Sequence, residues 1–185
     1  MRETKTYLPQ TWKDPRIEIR KSRISGDGMF AREPIKNGEV VCIVGGVVMT
    51  DSEFASFQVS HLLYSFVQID ENLYLVEDLE ITRSADASMN HSCDSSVWMD
   101  DEVTLVARRD IECGEEVTVD YALFTTQSNW MLDNRCRCGS AHCRRVVTGD
   151  DWRRKDVQER YRSHFSPFIN LRIERLLKGN IIHGS

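Results

Sequence analysis

Four cysteines carry the most specific chemistry in this 185-residue sequence. Cys136, Cys138 and Cys143 crowd into one run, Cys136-Arg137-Cys138-Gly139-Ser140-Ala141-His142-Cys143. Thiolates hold zinc tetrahedrally at about 2.3 Å, and three so close together need a fourth ligand. Cys93 is the natural candidate. His142 competes for the place, although ligation by both His142 and its neighbour Cys143 in one tetrahedron is awkward. Three unrelated thiols at this spacing are improbable. The remaining pair, Cys42 and Cys113, read as small buried or half-buried residues. Six cysteines in a chain without a signal-peptide core favour metal binding over disulfides.

Cys93 also closes a second group, Asn90-His91-Ser92-Cys93, which offers an amide, an imidazole, a hydroxyl and a thiol in succession. A lone histidine is more often structural than functional, but this company reverses the expectation. Asp120-Tyr121 forms a third group. Between the two lie an apolar run, Val103-Thr104-Leu105-Val106-Ala107, and a turn, Glu112-Cys113-Gly114-Glu115. That spacing suits two short strands that return the chain to the same place.

The elements that must hold these groups are short. Ile17, Ile19 and, more weakly, Ile24 suggest a first strand, which Gly26-Asp27-Gly28 interrupts. A lone G-x-G is ordinarily a tight turn; its other use is to let a backbone approach a ligand. Met29-Phe30-Ala31 begins a second strand, and Lys36-Asn37-Gly38-Glu39 is a turn. Residues 40–44 read as a buried strand stopped by Gly45-Gly46. Thr50-Asp51-Ser52-Glu53 has the spacing of a capping box and predicts a short helix. Residues 63–69 and 73–76 read as strands flanking Asp70-Glu71-Asn72, and residues 97–99 and 103–107 as a hairpin about Asp100-Asp101-Glu102. Residues 77–89 are polar and carry no clear pattern. Many short strands with a small helical share predict a mainly β domain. After the cysteines, Val157, Tyr161 and Phe165 recur every four residues and predict a helix. Ser166-Pro167 starts another, with Ile169, Ile173, Leu176 and Leu177 as its apolar stripe and Gly179 as its stop. The tail reads as a helical hairpin packed on the domain or on a second copy.

Taken in order, Gly26-Asp27-Gly28, Asn90-His91-Ser92-Cys93, Gly114-Glu115-Glu116-Val117-Thr118-Val119-Asp120-Tyr121 and the C-x-C-x4-C run resemble the SET-domain family of protein-lysine methyltransferases, over residues 15–147. The resemblance implies a SET-like β-fold of small sheets at residues 15–125. An N-terminal arm (1–14) precedes it, and a post-SET zinc segment (126–147) and a helical tail (148–185) follow. It implies S-adenosylmethionine-dependent N-methylation of a protein lysine, with S-adenosylhomocysteine as product, and one structural zinc ion on Cys93, Cys136, Cys138 and Cys143. Gly26, Asp27, Gly28 and the following Met29 become cofactor contacts, and Asn90 and His91 lie against the adenosyl part. Tyr121 closes the family's Glu-x-x-x-x-Asp-Tyr segment and becomes both the catalytic tyrosine and a cofactor contact. Its phenol can accept a weak C–H···O contact from a methyl group and hydrogen-bond an amine. Tyr64, in Tyr-x-Phe-x-x-x-Asp at residues 64–70, fits the family's channel tyrosine. The compact form is similar to stand-alone bacterial SET proteins. The chain departs from the pattern at Ala87 and Ser88, where many members have an arginine and an aromatic residue. It also has Ser95-Ser96 for a favoured Pro-Asn, and Val119 for a bulky aromatic.

Charge is unevenly spread. Residues 1–25 balance at +4, residues 26–134 at −16 and residues 135–185 at +7, giving the net −5. An acidic body repels nucleic acid and attracts cationic peptides. The expected partner is a lysine-containing protein or basic peptide, with no direct nucleic-acid binding. No apolar run approaches the ~20 residues of a membrane span. A cytoplasmic location is expected, or a nuclear one in a eukaryote, and the C-terminal helices offer a surface for a homodimer. Two rival readings stand: a SET-fold binding module without catalysis, and a zinc-stabilised nucleic-acid or interaction module acting through the basic tail.

Overall fold

Apolar residues fall in runs too short for long strands, broken by glycines and acidic turns, so the chain builds several small sheets. A computed structural model describes residues 5–82 and 89–182; Ala87 and Ser88 lie outside them. The strands are β1 (Trp12–Lys13), β2 (Ile17–Lys21), β3 (Asp27–Ala31), β4 (Val40–Ile43), β5 (Val47–Thr50), β6 (Tyr64–Asp70), β7 (Leu73–Asp78), β8 (Val97–Met99), β9 (Thr104–Ala107) and β10 (Glu116–Val117). They form three antiparallel sheets in the orders β1-β4-β9-β8, β10-β3-β2 and β5-β7-β6. One main core joins all three through residues such as Met29, Val41, Leu75, Leu105 and Val117. The mainly β expectation holds.

Local signals worked where local chemistry decides. The Thr50 side chain accepts the Glu53 N–H and Glu53 accepts the Thr50 N–H at 2.8 Å, so the capping box starts helix α1 (Asp51–Ser60). Its Phe54 packs on Tyr64, Phe66 and Tyr74. Ile24 is a correction: β2 ends at Lys21, and Ile24 lies in the loop before β3.

Non-local packing produced what the pattern did not announce. Gly45-Gly46 ends β4 but opens directly into β5, and β1 with residues 5–11 straps across this corner. The Gly46 N–H donates to the Leu8 carbonyl at 2.8 Å. A Cβ on Gly45 would stand 2.2 Å from the Gln10 carbonyl carbon, and one on Gly46 2.3 Å from the Val76 oxygen. Only glycines let three backbones meet this closely. The described part of the arm is therefore laid down as an edge strand and strap.

A short helix α2 (Leu79–Thr82) follows β7. In the tail, α3 (Lys155–Arg160) stops early, and Ser163 takes a left-handed φ of 65° in the turn beyond it. Val157, Tyr161 and Phe165 are nonetheless all buried in the main core, as their spacing predicts. Helix α4 (Pro167–Ile182) begins at Pro167 but runs through Gly179, because one interior glycine costs only about 1 kcal/mol relative to alanine. Of its stripe, Ile169 is buried and Ile173 packs on the core, whereas Leu176 and Leu177 are exposed. The tail packs on its own domain. Cys42 is buried, while Cys113 is exposed on a turn, against expectation. Among the described residues no helix is long and apolar enough to cross a membrane.

Candidate active site

Two backbone bonds bring the second and third groups together, Asn90 to Cys93 and Asp120-Tyr121. The Val119 N–H donates to the Asn90 carbonyl at 3.1 Å, and the Ser92 N–H to the Val119 carbonyl at 3.0 Å. His91 thereby meets Tyr121, whose N–H donates to His91 Nδ1 at 3.2 Å. The neutral ring then carries its proton on Nε2, which lies 3.3 Å from Cys93 Sγ. Burial pushes the His91 pKa down to about 4 against the pull of Asp120, so its 3.8 Å approach to that carboxylate is not a charged pair.

Asn90 spends its amide on the neighbouring loop. Nδ2 donates to the Ser25 and Asp27 carbonyls at 3.0 Å each and to Glu116 Oε1 at 2.8 Å. Glu116 also accepts the Ser22 hydroxyl at 2.8 Å. Gly28 makes room for this carboxylate, since a Cβ there would meet Oε1 at 2.4 Å. Gly26 takes a left-handed φ of 48°. Asn90 thus ties the loop to Glu116 through three hydrogen bonds.

A cavity of about 440 Å³ opens beside it, lined by Gly26, Asn90, His91, Tyr121, Arg135 and Arg137 among others. The other nominated cofactor residues stand back from it. Asp27 pairs with Lys21 at 2.8 Å, Gly28 packs on Glu116, and Met29 is fully buried in the core.

A smaller cavity of about 190 Å³ also reaches Tyr121, walled by Tyr64, Phe66, Val119, Phe124 and Trp130. Tyr121 is the residue common to both. Its hydroxyl donates to the Met89 carbonyl at 3.1 Å, and burial pushes its pKa up to about 12. Phe124 and Trp130 pack on its ring, each with centroids 5.8 Å away. Tyr64 contributes a wall, but its hydroxyl accepts the Gln58 amide at 3.0 Å.

Beneath the larger cavity the four thiols of Cys93, Cys136, Cys138 and Cys143 lie within 4.8 Å of one another. A tetrahedron with 2.3 Å arms has edges of about 3.8 Å; the Cys93–Cys136 sulfur separation is 3.9 Å. The donor set fits zinc. His142 is exposed and outside the group. Arg144 locks the segment down further. Its N–H donates to Cys93 Sγ at 3.3 Å, and its guanidinium grips the fully buried Asp120 with two bonds of 2.7 Å.

Phe124, Trp130 and Arg144 escaped the sequence reading. A tryptophan in the polar stretch before the cysteines, and an arginine directly after the last of them, were the available signals.

Small antiparallel sheets around two cavities that share one tyrosine, with a four-thiol cluster alongside, define a SET-type domain. The SET domain family model matches residues 26–122, and the chain belongs to that family. It is 28% identical over 162 residues to histone-lysine N-methyltransferase ATX2 of Arabidopsis thaliana, covering 80% of this chain and 14% of that protein. It is 30% identical over 144 residues to the variant-silencing SET domain-containing protein of Plasmodium falciparum, covering 69% and 5%. A histone-lysine N-methyltransferase, H3 lysine-4 specific, of Cryptococcus neoformans is 31% identical over 140 residues, covering 69% and 9%. The chain thus spans under one-sixth of each of these relatives.

Proposed function

We propose that this chain transfers methyl groups from S-adenosylmethionine to a lysine side chain of a protein substrate. The observation that carries the reading is Tyr121, which lines both a larger cavity bordered by Arg135 and Arg137 and a smaller one rich in aromatic residues. The named methyltransferase relatives support the same chemistry. S-adenosylmethionine supplies a methyl group on a positively charged sulfur. Gly26, Asn90 and His91 would hold it in the larger cavity, where Arg135 and Arg137 offer cations to its carboxylate. The smaller cavity takes the lysine: Phe66, Phe124 and Trp130 sheathe its apolar stem. A free lysine has a pKa of about 10.4, and removal from water lowers it, so the cavity itself releases the neutral amine. Tyr121 then aligns that amine, an in-line displacement being limited chiefly by geometry. A zinc ion on the four thiols would pin the segment that carries Trp130 and Arg135 over the site.

The test incubates the purified chain with labelled S-adenosylmethionine and a panel of lysine-rich proteins, beside a calorimetric cofactor titration. Label on lysine is the expected outcome. Cofactor binding without transfer to any protein would leave a binding module, and a salt-sensitive nucleic-acid shift without cofactor binding would favour the interaction module.

A further inference from the structure

The tail sends a charge inward that its own attachment does not need. Trp152, Val157, Tyr161, Phe165 and Ile169 already bury it in the main core. Yet Asp151, beside Trp152, is 7% exposed, and its Oδ2 lies 2.7 Å from Arg144 Nε. The contact is ionic, without the alignment of a hydrogen bond. Oδ1 of the same carboxylate accepts the Thr148 hydroxyl at 3.2 Å. Arg144 turns its other two guanidinium nitrogens on Asp120, and its backbone N–H is held by Cys93. Asp120 in turn caps the single turn Tyr121–Leu123, where its Oδ1 accepts the Ala122 N–H at 3.1 Å. Three charges from three parts of the chain are thus buried in one row that ends beside Tyr121. A buried ion pair seldom outdoes apolar packing as a source of stability, and its better-attested use is to fix one arrangement. A forked guanidinium grip sets direction as well as distance.

We propose that Asp151 and Arg144 are positioning residues for Tyr121, acting through Asp120, a reading that rests on Tyr121 being the catalytic tyrosine. Neither of the two lines the larger or the smaller cavity, so neither acts on the reacting atoms directly. Asp151 holds the guanidinium from the tail side, and its fork then meets Asp120 in one orientation. Asp120 sets the turn, and the turn sets where the phenol stands. Without the Asp151 charge the guanidinium keeps Asp120 as a partner but gains freedom to swing. A displacement of about 1 Å can cost about a hundredfold in rate. The tail thereby takes part in methyl transfer instead of merely covering the domain.

The test uses the full chain with Asp151→Asn, which keeps the shape and an acceptor for Thr148, and Arg144→Lys, which keeps the charge but loses the fork. Steady-state transfer to a lysine peptide gives kcat and KM, calorimetry gives cofactor Kd, and a thermal scan gives the melting temperature. Ring-13C-labelled tyrosine reports position by NMR. The chain has five tyrosines, and the Tyr121 signal is the one missing from Tyr121→Phe. Both variants are expected to lower kcat about tenfold or more, with peptide KM and cofactor Kd little changed. Both should shift or split the Tyr121 signal, while Tyr64 and Tyr74, in a separate apolar cluster, keep theirs. The melting temperature of Asp151→Asn holds, because two carboxylates face one guanidinium and losing one leaves a balanced pair. An unmoved Tyr121 signal overturns the proposal, and with a lower melting temperature it marks a tie that only holds the tail. A moved signal with unchanged kcat overturns it as well. If the wild type transfers nothing to the peptide, the methyltransferase reading fails, and the signal comparison still decides whether these residues place Tyr121.

Discussion

Tyr121 keeps its proton over the working range. Burial raises its pKa from 10.0 to about 12, so the phenol stays neutral further into alkali than a free tyrosine. The lysine substrate, by contrast, must lose a proton. Turnover is therefore expected to climb steadily between pH 7 and pH 10, with no fall from tyrosine ionisation; a downturn beginning below about pH 9 would contradict it. Val119 lines the smaller cavity, at the position where the SET resemblance leads one to expect a bulky aromatic. Its small side chain leaves room for a methylated amine to turn, so more than one methyl group is expected on the product under excess cofactor. Mass spectrometry of the peptide would show this, and Val119→Tyr should shift the product toward a single methyl. Spacing exposed Asn90, His91, Tyr121 and the four cysteines because those residues are grouped along the chain. It could not expose Phe124 or Trp130, whose rings reach Tyr121 only in the folded chain.

The segment that carries Cys136, Cys138 and Cys143 has little packing of its own. Its apolar cluster is small, with Trp130, Leu132 and Val147 around the thiols. Small modules of this kind commonly fold only with their metal. Cys93→Ser and Cys138→Ser are each expected to lose zinc and to weaken S-adenosylmethionine binding while the sheets persist. Elemental analysis, circular dichroism and calorimetric titration would check the three parts, and zinc loss with unchanged cofactor affinity would remove the coupling. Arg144 is the second tie. Its side chain is 2% exposed and Asp120 fully buried, so Arg144→Leu strands a carboxylate next to Tyr121. Removing one partner of a buried pair costs about 3–5 kcal/mol, which a denaturant titration would register as a lower midpoint. The capping box of α1 and the β8–β9 hairpin were legible because their determinants are consecutive. The strand β5 and the arm's strap were not, because Gly45 and Gly46 show their purpose only when Gln10 and Val76 press against them.

Across the whole molecule, charge and shape act together. The acidic body between two basic ends is expected to gather a cationic segment toward the smaller cavity. Exposed charges are screened beyond about 8 Å at physiological ionic strength, so peptide capture should weaken as salt rises, and salt-independent KM values would count against this. The central claim is that the methyl group passes at Tyr121, between the two cavities. Its most direct test is single-turnover transfer to a lysine peptide at saturating cofactor, read by intact mass, for the wild type and for Tyr121→Phe with cofactor affinity measured alongside. The account predicts transfer by the wild type and a loss of about a hundredfold or more in the variant, with cofactor affinity little changed. Transfer by Tyr121→Phe at near the wild-type rate would contradict it.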